Sequence, residues 1–121
     1  GLSPLCIAAR DAHLSIVQLL MRAGADLDRV QHDGASALHY AAHQGNSDMV
    51  RFLCMNSADV NRAKNEGATP LSWAAQTGHL ETAQCLLALR ACLHKAREDG
   101  ATPLCVAANG GHASVTRLLC D

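Results

Sequence analysis

Aromatic residues are almost absent from this chain, with one Phe, one Tyr and one Trp in 121 residues. That scarcity argues against a deep core built on aromatic volume. The hydrophobic fraction is nevertheless 49%, so there is ample apolar material to bury. It is small and aliphatic, which suits thin layers of closely packed helices. Proline is equally scarce, with three in all. Neither sign of charge dominates: ten Lys+Arg stand against eleven Asp+Glu, for a formal net charge of −1. Bulk electrostatics therefore draw the chain toward neither nucleic acid nor an anionic membrane. No apolar run approaches the length of a membrane span, and the N-terminus has no signal-peptide layout. The six cysteines form no C-x-x-C pair and no zinc-like spacing. Set mostly among apolar residues at helical spacing, they read as small buried hydrophobes in a reducing compartment, cytoplasmic or nuclear.

What the chain does have is a repeat. Gly1, Gly34, Gly67 and Gly100 lie 33 residues apart, and each opens a similar phrase: GLSPLCIAA, GASALHYAA, GATPLSWAA, GATPLCVAA. The period divides a single array into units 1–33, 34–66, 67–99 and 100–121, the last incomplete. Ser3, Ser36, Thr69 and Thr102 read as hydroxyl N-caps. Pro4, Pro70 and Pro103 follow at the first helical position, where a missing N–H costs nothing, and Ala37 takes that place in the second unit. The pairs Ala8-Ala9, Ala41-Ala42, Ala74-Ala75 and Ala107-Ala108 allow close helix approach. Gly45, Gly78 and Gly111 break the first helix, with Ala12 standing in once. A second helix follows, apolar at Ile16, Val17, Leu19 and Leu20 and at equivalent positions later.

Two features of the linkers carry specific expectations. Gly24 ends the second helix of the first unit, but its counterparts are Ser57 and Arg90. A non-glycine residue in the left-handed region costs roughly 1 kcal/mol. The sequence therefore predicts adjusted turns at Met55–Ala58, with Asn56 in the left-handed role, and at Leu89–Cys92. Cys92, in the register of Asp26 and Asp59, predicts an atypical base for the third linker. Arg29, Arg62 and Lys95 also recur every 33 residues, each four before Asp33, Glu66 or Asp99. These predict pairs across each linker, which either fix its register or orient a charged partner.

The period, with G-x-T-P-L-x-x-A-A-x-x-G-H within it, resembles the ankyrin repeat family over the whole chain. The stretch Gly67-Ala68-Thr69-Pro70-Leu71, with Gly78-His79-Leu80-Glu81, carries the motif most fully. The resemblance implies an all-α solenoid of stacked helix-turn-helix units joined by hairpin or turn linkers. It also implies a non-enzymatic protein–protein interaction module, an adaptor or scaffold segment that takes a protein or peptide on its concave face. A structural spacer without a ligand, or the substrate-recognition arm of a ubiquitin ligase complex, are the alternatives. The family further implies asparaginyl hydroxylation as a modification at Asn61, which follows Asp59-Val60; the competing reading is a hydrogen-bonding linker Asn.

Catalytic and metal chemistry find little support. Asn109-Gly110-Gly111-His112 lacks the strand, Lys and Ser/Thr of a phosphate loop. No nucleophile motif appears, and no cofactor is implied. His39 and His43 have helical ligand spacing but no third ligand. The resemblance makes His39 a backbone-bonding post, while His13, His79 and His112 recur at the inter-helix turn as local packing residues.

Candidate partner-binding residues fall into two sets. Tyr40 and Trp73, 33 apart with Ile7 and Val106 as counterparts, form an aromatic platform of the kind enriched at interface hot spots, or else cover a seam between helices. Beside them lie Arg10, Asp11, His43, Gln44, Gln76, Thr77 and Asn109. The linker positions His32, Asp33, Asn65, Glu66, Glu98 and Asp99 extend the same surface. Leu118, Leu119 and Cys120 keep the internal apolar pattern without a polar cap. This predicts that further repeats, another domain or another chain cover that end.

Overall fold

The computed structural model describes residues 2–120 and comprises, among them, eight α-helices and no strand. The helices are α1 (Pro4–Arg10), α2 (Leu14–Arg22), α3 (Ala37–His43), α4 (Ser47–Met55), α5 (Pro70–Thr77), α6 (Leu80–Ala88), α7 (Pro103–Asn109) and α8 (Ala113–Cys120). They form four helix-turn-helix pairs. The first helices pack in succession, α1 on α3, α3 on α5 and α5 on α7. The second helices make a layer behind them, with α4 on α6 and α6 on α8.

Local chemistry starts each pair. Ser3, Thr69 and Thr102 accept hydrogen bonds from the amides of Cys6, Ser72 and Cys105 at 3.2, 3.2 and 3.3 Å. Each satisfies a donor that the first turn would otherwise leave open. Ser36 instead forms a reciprocal cap with His39. The prolines occupy the first residue of α1, α5 and α7. The alanine pairs are buried, except for Ala108. Leu38, Leu71, Val50, Leu53 and Leu86 complete a core continuous along the stack.

The inter-helix turns are left-handed at Ala12, Gly45, Gly78 and Gly111. Glycine is required at two of them for a second reason. A Cβ on Gly45 would lie 2.5 Å from Nδ1 of His79, and one on Gly78 would lie 2.4 Å from Nδ1 of His112. The imidazole of each succeeding pair lies over this turn, and its Nε2 donates to a carbonyl at the end of the preceding first helix: His43 O at 3.0 Å and Gln76 O at 2.9 Å. In the register of His79, the second pair carries Asn46. Asn46 caps α4 by accepting from Met49 N at 3.1 Å. The turn beneath it is the one that carries Ala12, so the smaller upper residue accompanies the larger lower one.

The linkers are turns, closed by Gln31 N to Ala35 O, Lys64 N to Ala68 O and Arg97 N to Ala101 O. They also stack on one another through their backbones, Asn65 N to Asp33 O at 2.8 Å and Glu98 N to Glu66 O at 3.0 Å.

Three expectations need correction. The turns after α4 and α6 are not adjusted: Ser57 (φ 76°) and Arg90 (φ 73°) take the left-handed conformation of Gly24, while Asn56 stays at φ −104°. The shared register, held by Ala58 N to Leu53 O and Ala91 N to Leu86 O, outweighs the local strain. The basic column at Arg29, Arg62 and Lys95 makes no ion pair with Asp33, Glu66 or Asp99 among the described residues. Arg62 reaches back to the Asp28 carbonyl at 3.0 Å. Lys64 and Arg97, two residues before Glu66 and Asp99, face the acids across the closed turn instead. Finally, only Cys6 and Cys85 are buried; Cys54 is half-buried, and Cys92, Cys105 and Cys120 are exposed. Burial raises the Cys54 thiol to about 11, as expected of a thiol in apolar surroundings.

Candidate protein-binding groove

Because the first helices stack in register, residues 33 apart align into columns. One column is Ile7, Tyr40, Trp73 and Val106. Trp73 is its hub: the rings of His39, Tyr40 and His43 meet it edge-on, with centroids at 5.3, 5.7 and 5.4 Å. Lys64 Nζ lies 5.5 Å from its centroid, within cation–π range. Tyr40 and Trp73 are half-buried, so one side of the platform seals the seam and the other faces a groove.

The groove runs between the first helices and the linkers in two sections of about 540 and 550 Å³. The first is walled by Tyr40, Trp73, His43 and Gln76, with Lys64 and Glu66 from the linker. The second is its translational equivalent one unit on: Val106 replaces Trp73, Gln76 replaces His43 and Asn109 replaces Gln76, with Arg97 and Asp99 from the next linker. Arg10 and Gln44 extend the first section, and Cys105 opens onto the second. The Thr102 hydroxyl donates to Cys105 Sγ at 3.3 Å and holds that thiol below its usual value.

The candidate residues divide into those that line this groove and those that do not. Arg10, Tyr40, His43, Gln44, Glu66, Trp73, Gln76, Asp99 and Asn109 line it. Asp11 does not; it pairs with Arg10 at 2.9 Å, which keeps its carboxyl below the usual range. Asp33 accepts from Ala35 N at 3.0 Å, and Asn65 Nδ2 donates to His32 O at 3.1 Å. The Thr77 hydroxyl turns back to Trp73 O at 2.9 Å. His32 and Glu98 are exposed on the linkers, outside the groove. Sequence reasoning missed Lys64 and Arg97. They too are 33 apart, and that spacing is the signal, masked by the neighbouring basic column Arg29, Arg62 and Lys95.

A second distinction is between polar groups engaged within the fold and those left free. His39 is fully engaged. Ser36 N–H donates to its Nδ1 at 3.1 Å, so Nε2 carries the proton and donates to Ala68 O at 2.9 Å. Burial holds this imidazole neutral down to about pH 4. With both nitrogens engaged, it cannot join His43 in a ligand pair. The Asn61 side chain is engaged as well, accepting from Cys92 N at 2.6 Å and donating to Arg90 O at 3.4 Å across to the third pair. Its counterpart Asp28 grips Asp59 N in the same way at 2.8 Å. By contrast, the Tyr40 hydroxyl, the Trp73 indole N–H, the His43 ring and the amides of Gln44, Gln76 and Asn109 have no hydrogen-bond partner among the described residues.

Four helix pairs in one register, with two groove sections along them that share Gln76 and Arg97, define a helical repeat array. The chain belongs to the ankyrin repeat family: a family model described as ankyrin repeats (3 copies) matches residues 5–97, and one described as ankyrin repeat matches residues 99–121. No curated protein matches the chain significantly. Repeats of this family are in general protein–protein interaction modules and are typically non-catalytic. Among the described residues, no helix is long and apolar enough to cross a membrane.

Proposed function

We propose that this chain is an adaptor or scaffold segment, a single array of four units that binds a protein or peptide in the groove between its first helices and linkers. The observation that carries this reading is the row of free polar groups. Six side chains along the groove present donors and acceptors that the fold does not use, beside an aromatic platform. A Tyr/Trp anchor ringed by polar groups has the usual anatomy of an interface, an apolar core within a polar rim. A spacer has no need of such a row.

The test is affinity capture from cell extract, comparing the native chain with a Gln44→Ala/Gln76→Ala/Asn109→Ala variant whose helicity is first checked by circular dichroism. The expected result is a specific protein held by the native chain and lost by the folded variant. Proteins held equally by both, or no specific protein at all, would remove the groove from the account and leave the spacer.

A further inference from the structure

We infer that the groove takes a polyproline II segment, with a proline against Tyr40 and Trp73, an acidic residue beside it, and an aliphatic residue three positions on against Val106. This inference rests on the groove reading above. It follows from the repeat distance, the free polar groups and the placement of charge.

The two groove sections are translational equivalents, so their spacing is that of stacked helices, about 8–10 Å. A polyproline II helix has three residues per turn and a rise of about 3.1 Å, which brings residues i and i+3 back to one face about 9 Å apart. A β-strand returns to one face every second residue, at about 7 Å and then about 13 Å, and misses the second section. An α-helix matches through i and i+7, about 10.5 Å apart, but it satisfies its own backbone. Its backbone has no free carbonyl within the helix for the Trp73 N–H or the Gln44, Gln76 and Asn109 amides. A polyproline II backbone makes no internal hydrogen bonds and offers its carbonyls to such donors.

Charge selects further. Arg10 and Arg97 each hold a short ion pair, at 2.9 and 2.7 Å, with Asp11 and Asp99. Lys64 has only long contacts, 3.8 Å to Asp33 and 3.9 Å to Glu66. It lies over Trp73 in the wall of the first section, its side chain 13% exposed, and is the cation without a short ion pair that is left to receive a carboxylate from the occupant.

The experiment is selection of a displayed library of random short peptides on the native chain, with the Gln44→Ala/Gln76→Ala/Asn109→Ala variant as the counter-target. A synthetic consensus peptide is then titrated against the fluorescence of Trp73, the chain's one tryptophan. The expected consensus is a proline and an aliphatic residue at i and i+3 with an acidic residue adjacent. Inserting one residue between the anchors should weaken binding about tenfold or more, as loss of one buried aliphatic contact would. Lys64→Met should abolish the preference for the acidic residue while keeping the other two. A consensus that is helical and proline-free, one with anchors at i and i+2, or equal binding of the inserted peptide would overturn this inference alone. If no peptide depends on the groove, this inference falls, while the groove reading is decided by the affinity capture described above.

Discussion

The second and third helix pairs are joined by a clamp that the third and fourth lack. Between the former, His39 bridges Ser36 and Ala68 O, and the Ser47 and Thr82 hydroxyls meet at 2.9 Å inside the stack. At the next junction Ser72 stands in the register of His39, and its hydroxyl is buried without a partner among the described residues. Leu80 and Val115 replace the hydroxyl pair, and Val106 replaces Trp73. Yet the turns are alike, with Gly45 at φ 74° and Gly78 at φ 77°, and the His79 and His112 bonds are equivalent. Backbone register, small residues and the turn histidine are thus enough to stack the pairs. The buried imidazole adds stability at one junction and is not needed to build it.

The largest effect that tests this contrast is His39→Ala. It empties a buried site, takes the acceptor from Ser36 N–H and removes one of the two donors to Ala68 O, which keeps Lys64 N–H, so denaturant unfolding should report a loss of about 3 kcal/mol. A loss below that of an ordinary surface substitution would dissolve the contrast. Acid should act at the same place. The His39 pKa falls from 6.5 to about 4 on folding, so the unfolded chain binds the proton first as pH drops. The contribution of His39 is fully present above pH 6.5 and is lost as pH falls toward about 4, on the order of 3 kcal/mol. A His39→Gln variant should have a shallower stability profile across that window, and an unchanged slope would contradict the assignment.

Smaller effects sharpen the comparison. Gly45→Ala adds left-handed strain and displaces the His79 ring, for about 2 kcal/mol. In a His79→Asn background, which copies the natural Ala12 and Asn46 pair, the cost should drop to about 1 kcal/mol. Equal costs in both backgrounds would mean that the ring is not the obstacle. Ser72→His should supply the missing post at the third junction by donating to Ala101 O, and raise the unfolding free energy by about 1 kcal/mol. Arg90→Gly should gain least, about 0.5 kcal/mol. It relieves the left-handed strain but adds the backbone entropy of glycine, and thermal unfolding would register it.

The elements most legible in the sequence were those decided locally. The hydroxyl caps at Ser3, Thr69 and Thr102, the prolines one residue later and the left-handed Gly78 each act within a few residues, and repetition multiplied the signal. Ser57 and Arg90 were misread because a penalty of roughly 1 kcal/mol, decisive in a peptide, is small against a register shared along the stack. Lys64 and Arg97 were hidden because two basic columns run through the linkers, and only the closed turn decides which one faces the groove. The exposure of Cys105 depends on its neighbours in space, which helical spacing does not specify. Of the candidate site, the first-helix residues were readable from their register with Tyr40 and Trp73. Asp33, Asn65 and Thr77 were not, because their side chains have partners within the fold.

The free polar groups of the groove, Gln44, Gln76 and Asn109, are distinct from the groups that hold the stack together. The most direct measurement is the urea unfolding free energy of the Gln44→Ala/Gln76→Ala/Asn109→Ala variant beside the native chain and His39→Ala. The prediction is a triple variant within about 0.5 kcal/mol of native, as for surface positions that hold nothing in place. A loss approaching that of His39→Ala would place these side chains among the groups that hold the stack together and contradict the claim.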